Sequence, residues 1–226
     1  MVRFAKLPLQ FDVTAMQAEI QSAAKEWLPH FNTVYYDGNW NVLALRSPGG
    51  NHVNIIPEAR GGDDYEDTIY MDHFDSVKKL VATLQCPVLS VRFLNLHAGA
   101  VIKQHTDAEL AFEKGEARLH FPVVTHPGVE FYCEQERVFL NEGECWYLNA
   151  NLPHRVSNNS PTNRIHLVID CKVNDWLKDL INSSDHVAHK KDMDDATMTL
   201  MIKQLRLQNT PKSNQMADEF EKQLNG

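Results

Sequence analysis

Arg118-Leu-His-Phe-Pro-Val-Val124, with Val129-Glu-Phe-Tyr132, Val138-Phe-Leu140, Cys145-Trp-Tyr-Leu148 and Arg164-Ile-His-Leu-Val-Ile169 after it, is the stretch that decides the fold. Each segment is short, rich in β-branched and aromatic residues, and closed by a turn signal such as Pro127-Gly128 or Asn141-Glu-Gly143. Regular short strands of this kind predict a mainly β domain, a barrel or a jelly roll of the cupin-like, double-stranded β-helix kind. Such a double sheet directs side chains from several strands into one cavity.

Working outward, Val88 to Leu96 alternates as an entering strand, and His97-Ala-Gly-Ala100 predicts a turn toward His105-Thr106-Asp107. Residues i and i+2 of a strand share a face, so His105 and Asp107 can reach one point while His154 arrives from another strand. Two imidazoles and one carboxylate form the triad that holds iron(II) on one side and leaves positions open for substrate and oxygen. Arg164, ten residues past His154, has the planar fork that grips a carboxylate and keeps its charge when desolvated. Arg118 and His120 share one strand face beside it.

The blocks His105-Thr-Asp107, Arg118-Leu-His120, Pro153-His154 and Asn163-Arg164-Ile-His166 resemble the iron(II)- and 2-oxoglutarate-dependent aspartyl/asparaginyl β-hydroxylase family, including its small members that hydroxylate free proline. The likeness runs from about Leu89 to Cys171. Membrane-anchored members carry glycine where this chain has Asp107, so the intact carboxylate sides with the free-amino-acid hydroxylases. The resemblance implies iron(II) on His105, Asp107 and His154, 2-oxoglutarate held through Arg164, and Arg118 and His120 engaged with carboxylates of co-substrate or substrate. It implies hydroxylation of an unactivated carbon of a free amino acid or close derivative with O2, releasing succinate and CO2, and ascorbate as a useful additive in vitro. Two alternatives stay open. One is the same chemistry on a residue in a protein, peptide or carrier-bound amino acid; the other is a non-catalytic cupin-like module that binds a small anion.

Composition bounds the rest. A chain of 226 residues with 43% hydrophobic residues can bury a substantial core, and the reading is one domain: residues 1–87 of helices and strands, a jelly-roll core over 88–171, and a helical tail over 172–226. A formal net charge of −8 speaks against a nucleic-acid partner, since phosphate binding needs a basic surface. Four separated cysteines without metal-ligand spacing suit a reduced, cytoplasmic setting. No stretch reads as a signal peptide or membrane span. The expected partner is a small molecule.

Other segments have simpler roles. Asp12 is expected to cap a helix reaching about Leu28, with Met16, Ile20, Ala23 and Trp27 in one stripe. Val34–Tyr36, Val42–Leu45 and Val53–Ile56 read as strands, with Ser47–Asn51 as a turn between two of them. Arg46 is a weaker candidate for a substrate carboxylate, and the acidic segment Glu58–Asp67 reads as a surface loop able to serve as a lid. Helices are expected at Asp75–Leu84, Trp176–Ile181, Asp194–Leu207 and Lys212–Leu224, the third with a stripe of Met198, Met201, Ile202 and Leu205. The tail has three uses open to it: packing on the barrel, pairing in a homodimer, or covering the entrance. His30, His52, His73, His97, His126, His186 and His189 receive no role, because a lone histidine is commonly a surface or hydrogen-bonded core residue.

Overall fold

The computed structural model describes residues 1–23, 25–56, 64–107, 110–188 and 195–225. In chain order these form β1 (Val2–Leu7), α1 (Val13–Ser22), β2 (Leu28–Pro29), β3 (Tyr36–Asp37), β4 (Trp40–Pro48), β5 (Tyr65–Asp67) and α2 (Asp75–Thr83). Then follow β6 (Val88–Leu96), β7 (Val101–His105), β8 (Glu116–Val124), β9 (Val129–Cys133), β10 (Glu136–Val138), β11 (Cys145–Leu148), β12 (His154–Asn158) and β13 (Arg164–Lys172). Helix α3 (Asp175–Ser183), β14 (Asp185–Ala188), α4 (Asp195–Gln208) and α5 (Pro211–Asn225) complete the set.

Two compact units result, one within Val2–Ala188 and one that, among the described residues, comprises 195–225 with Met1. In the first, β14-β1-β11-β8-β13-β6-β4-β2 form the main path of a nine-stranded sheet in which β5 pairs with β4, and β10-β9-β12-β7-β3 form a five-stranded sheet. All pairings are antiparallel. The architecture is the expected mainly β double sheet with helices toward both ends of the chain.

Alternation along the central strands builds two cores. On β8, Ala117, Leu119, Phe121 and Val123 join Leu167, Ile169 and Cys171 of β13 in an apolar layer with Met16 and Ile20 of α1, Val77 and Leu80 of α2, and Leu177 and Ile181 of α3. The opposite faces of the same strands turn Arg118, His120, Arg164, His166 and Asp170 toward the second sheet. There Leu94 and Leu96 of β6 meet Ile102 of β7, Phe131 of β9 and Val156 of β12. Helices therefore seal the outside of the large sheet, while polar residues are concentrated between the sheets.

Several elements depart from expectation. Asp12 caps α1 by accepting from the Ala15 amide, but the helix ends at Ser22, and Leu28, held out of helical geometry by Pro29, pairs with Val42 in a sheet. Thr33–Tyr35 is a 3-10 turn and only Tyr36–Asp37 is extended. Val53–Ile56 forms no strand, because the Asn51 side chain accepts from the Val53 amide and the Asn51 carbonyl from the Asn54 amide, a local turn that outcompetes pairing. Tyr65–Asp67, expected as loop, pairs with β4; residues 58–63 of that acidic segment lie outside the described residues. In the C-terminal unit, α4 and α5 pair through Arg206, whose Nη2 donates to Asp218 at 2.6 Å and Glu221 at 3.0 Å. Of the expected stripe on α4, Met198 is buried but Met201 is exposed. Among the described residues no helix is long and apolar enough to cross a membrane.

Candidate metal centre

The turn after β6 aims the first ligand. Gly99 sits at φ +76°, where a side chain would be strained, and a Cβ on Gly38 would meet the Cβ of Ala100 at 2.9 Å. The chain then enters β7 and ends it at His105, directly across from His154 on β12. Just past the strand, the Asp107 amide donates to the carbonyl of Ala150 at 2.8 Å, which places its side chain beside the two imidazoles.

His105, Asp107 and His154 each offer a donor atom, and these atoms lie within 4.8 Å of one another. The His105 Nδ1 is 2.8 Å from the carbonyl of Lys103, and the His154 Nδ1 is 2.9 Å from that of Leu152. A carbonyl only accepts, so both rings carry a proton on Nδ1, which leaves Nε2 as the nitrogen available to a metal. Oδ1 of Asp107 lies 3.6 Å from Nε2 of His105. Burial pushes His154 down to about pKa 4, with the charges of His105 and Arg118 adding to the effect, so its ring is neutral at pH 7. Two imidazoles, each with Nδ1 tied to a backbone carbonyl, and one carboxylate suit a divalent first-row ion.

An inner cavity of about 50 Å³ runs from these three residues past His120, Phe131 and Leu148 to Arg164. On the triad side it shares Trp40, Leu94 and Arg118 with an outer cavity of about 260 Å³, rimmed by His30, Phe31, Tyr35 and Ile56. At the other end Arg164 and Phe131 also border a third cavity, of about 310 Å³, reaching Arg137 and Phe139. The inter-sheet space is thus lined by the triad at one end and a guanidinium at the other.

That guanidinium is 2% exposed and has no carboxylate partner among the described residues. Its Nη2 lies 2.8 Å from Nδ1 of His166, its Nε has no hydrogen-bond partner, and burial alone pushes its pKa down to about 9. His166 and His120 are held far below the ordinary histidine range, first by burial and then by the Arg164 charge. His120 also keeps an unpartnered Nδ1. A buried arginine without a carboxylate among the described residues has the chemistry to receive an anion, because an unpaired buried charge is costly.

Arg118 is different. Its Nε and Nη2 donate to Oδ1 and Oδ2 of Asp170 at 2.7 and 3.1 Å, and its Nη1 makes a short contact to Oδ2 of Asp107. Burial opposes its charge, but the two carboxylates raise its pKa above the ordinary arginine value. Asp170 also accepts from Ser90 Oγ at 2.8 Å and from Arg92 Nη2 at 2.9 Å. Sequence reading passed over Arg92, Asp170 and His166 as site residues. A signal was available: Arg164, His166, Val168 and Asp170 alternate on one face of a buried strand, where charged residues are rare unless paired. Arg46 stands apart from this site. It pairs with Asp67 at 2.9 Å and donates to the Val88 carbonyl.

The L-proline cis-4-hydroxylase of Rhizobium meliloti (strain 1021) is 26% identical over 171 residues, a match covering 73% of this chain and 60% of that protein. The chain therefore spans less than two thirds of that relative's length. The crystal structure of an oxidoreductase of the 2OG-Fe(II) oxygenase family from Burkholderia pseudomallei superposes with a TM-score of 0.50 at 12% identity, over 72% of this chain and 79% of that one, a likeness of fold. Residues 10–173 match the aspartyl/asparaginyl beta-hydroxylase family, and the chain belongs to it.

Proposed function

We propose that this protein is an iron(II)- and 2-oxoglutarate-dependent dioxygenase that hydroxylates an unactivated carbon of a free amino acid or close derivative, releasing succinate and CO2. The observation that carries this reading is the pair of ends of one inter-sheet space: a tautomer-fixed His105/Asp107/His154 set, and a buried Arg164 without a carboxylate partner among the described residues. His105, Asp107 and His154 would hold the iron, and Arg164 would take the distal carboxylate of 2-oxoglutarate in a charge-assisted, bidentate grip. Bound iron would supply the activation of oxygen and the oxidative decarboxylation of the co-substrate. The chain supplies position and dryness: Leu94, Ile102, Phe131 and Val156 wall the space, and His120, whose ring burial keeps neutral, lines the same space and would face the co-substrate. The substrate would enter by the outer cavity, whose floor carries Arg92 and Arg118. Four cysteines, all free and buried, suit a reducing compartment, and we place the enzyme in the cytoplasm.

The test is a screen of amino acids and short peptides for succinate release with iron(II), ascorbate and 2-oxoglutarate. Stimulation by a free amino acid is the expected result, and no iron-dependent succinate with any addition would sink the reading. A second reading has its own observation: Phe31, Tyr35 and Ile56 on the outer rim are exposed apolar residues, which favours an amino acid carried on a larger body such as a peptide or carrier. Stimulation by peptides alone would select it. A third, a non-catalytic anion-binding module, requires that no metal bind after anaerobic iron loading.

A further inference from the structure

Asp170 lines none of the cavities around the candidate metal centre, yet it is 2% exposed and accepts four hydrogen bonds, from Ser90 Oγ, Arg92 Nη2 and the Nε and Nη2 of Arg118. Three of those bonds fall on Oδ2 and one on Oδ1, so donors from three side chains hold the Asp170 carboxylate in one orientation. The two-point contact fixes the plane of the Arg118 guanidinium, as the arginine fork does and a lysine ammonium does not. Nη1 on the far edge of that plane then meets Oδ2 of Asp107, while Oδ1 of Asp107 points toward Nε2 of His105. One oxygen of Asp107 is occupied by protein and one is free for a metal.

We propose that Asp170 is a positioning residue for the metal site, acting through Arg118 to hold Asp107 as a one-oxygen ligand. The inference rests on the reading of His105, Asp107 and His154 as a metal triad. Register explains how the chain achieves it. Asp170 lies directly across from Arg118 in the β13–β8 ladder, and Arg92 lies on β6 across from Val168, so three adjacent strands deliver the network. Arg92 and Arg118 balance Asp107 and Asp170 in charge, which leaves the network neutral before any ligand arrives. Arg118 is thereby committed to the protein's own carboxylates, in contrast to Arg164.

The experiment is an anaerobic titration of the metal-free full chain with cobalt(II), followed by its visible absorption. It compares wild type with Asp170→Asn, Ser90→Ala and Leu167→Ala, with thermal unfolding of each metal-free protein alongside. Leu167 lies on the same strand but faces the helix-side core, so its loss destabilises the fold without touching the network. The expected result is a cobalt dissociation constant raised about 10- to 100-fold in D170N, in the range seen for residues behind metal ligands, with an altered absorption band. A smaller rise is expected in S90A and none in L167A. Wild-type affinity in a folded D170N overturns the proposal, as does an equal loss in L167A. Should D170N fail to fold, S90A decides: unchanged affinity there overturns it. Failure of the wild type itself to bind cobalt would bring down the metal reading along with this one, whereas tight wild-type binding with indifferent variants removes this inference alone.

Discussion

Arg118 and Arg164 are both buried arginines on neighbouring strands of the same sheet face, and their surroundings are opposite. Arg118 has two carboxylates within contact and its charge is reinforced; Arg164 has a histidine nitrogen, an unpartnered Nε and a pKa lowered to about 9. A guanidinium paired with the chain's own carboxylates holds the fold, while one with no carboxylate among the described residues is, on the proposed reading, open to a ligand. Burial costs both of them alike, and only the first recovers the cost from within the chain.

The largest expected effect lies at the triad. His105→Ala or His154→Ala should abolish succinate release while circular dichroism shows the fold retained; turnover at the wild-type rate would remove that residue from the ligand set. Next come the two arginines. Arg118→Met removes the two-point partner of buried Asp170 and a contact of half-buried Asp107, and should cost about 3 to 5 kcal/mol of metal-free stability in urea unfolding. Arg164→Met removes an unpaired charge, so metal-free stability should hold or rise, while 2-oxoglutarate binding weakens by about 2 to 5 kcal/mol in calorimetric titration. Equal destabilisation by both replacements would erase the contrast.

Acid sharpens it. His30 and His154 are lowered by burial to about 3 and about 4, and His120 and His166 lie well below the ordinary value of 6.5. As pH falls below about 6.5 the unfolded chain takes up protons that the folded chain refuses. Metal-free stability should then fall, by up to ~1.4 kcal/mol per pH unit for each histidine, down to about pH 4 for His154. Asp170, held low by Arg118 and Arg92 against the cost of its burial, contributes stability above the carboxylate range that is lost only in stronger acid. Equal urea midpoints at pH 7.5 and 5.5 would contradict the neutral-histidine end of the cavity. The smallest effect belongs to Arg46→Ala, whose partly exposed pair with Asp67 should be worth no more than about 1 kcal/mol and leave turnover intact.

Much of this was legible in residues alone. The strands β6, β8, β11 and β13 follow from alternation and turn signals, and His105, Asp107 and His154 follow from the i, i+2 rule plus a distant histidine. Shorter elements were less so. The Val53–Ile56 run has strand composition, but the Asn51 side chain captures the backbone first. Tyr65–Asp67 looks like acidic loop and becomes strand because the edge of β4 offers it partners.

By itself the chain's order of residues determined that two sheets form, that one face of each central strand is polar, and which side chains are chemically fit to hold a cation and an anion, because these depend on local periodicity and functional groups. Only the tertiary structure decided that Arg118 answers to Asp107 and Asp170 while Arg164 is left with His166. Partnership between buried charges is set by register between strands distant in sequence, and a one-residue slip would have turned each of these side chains to the other face.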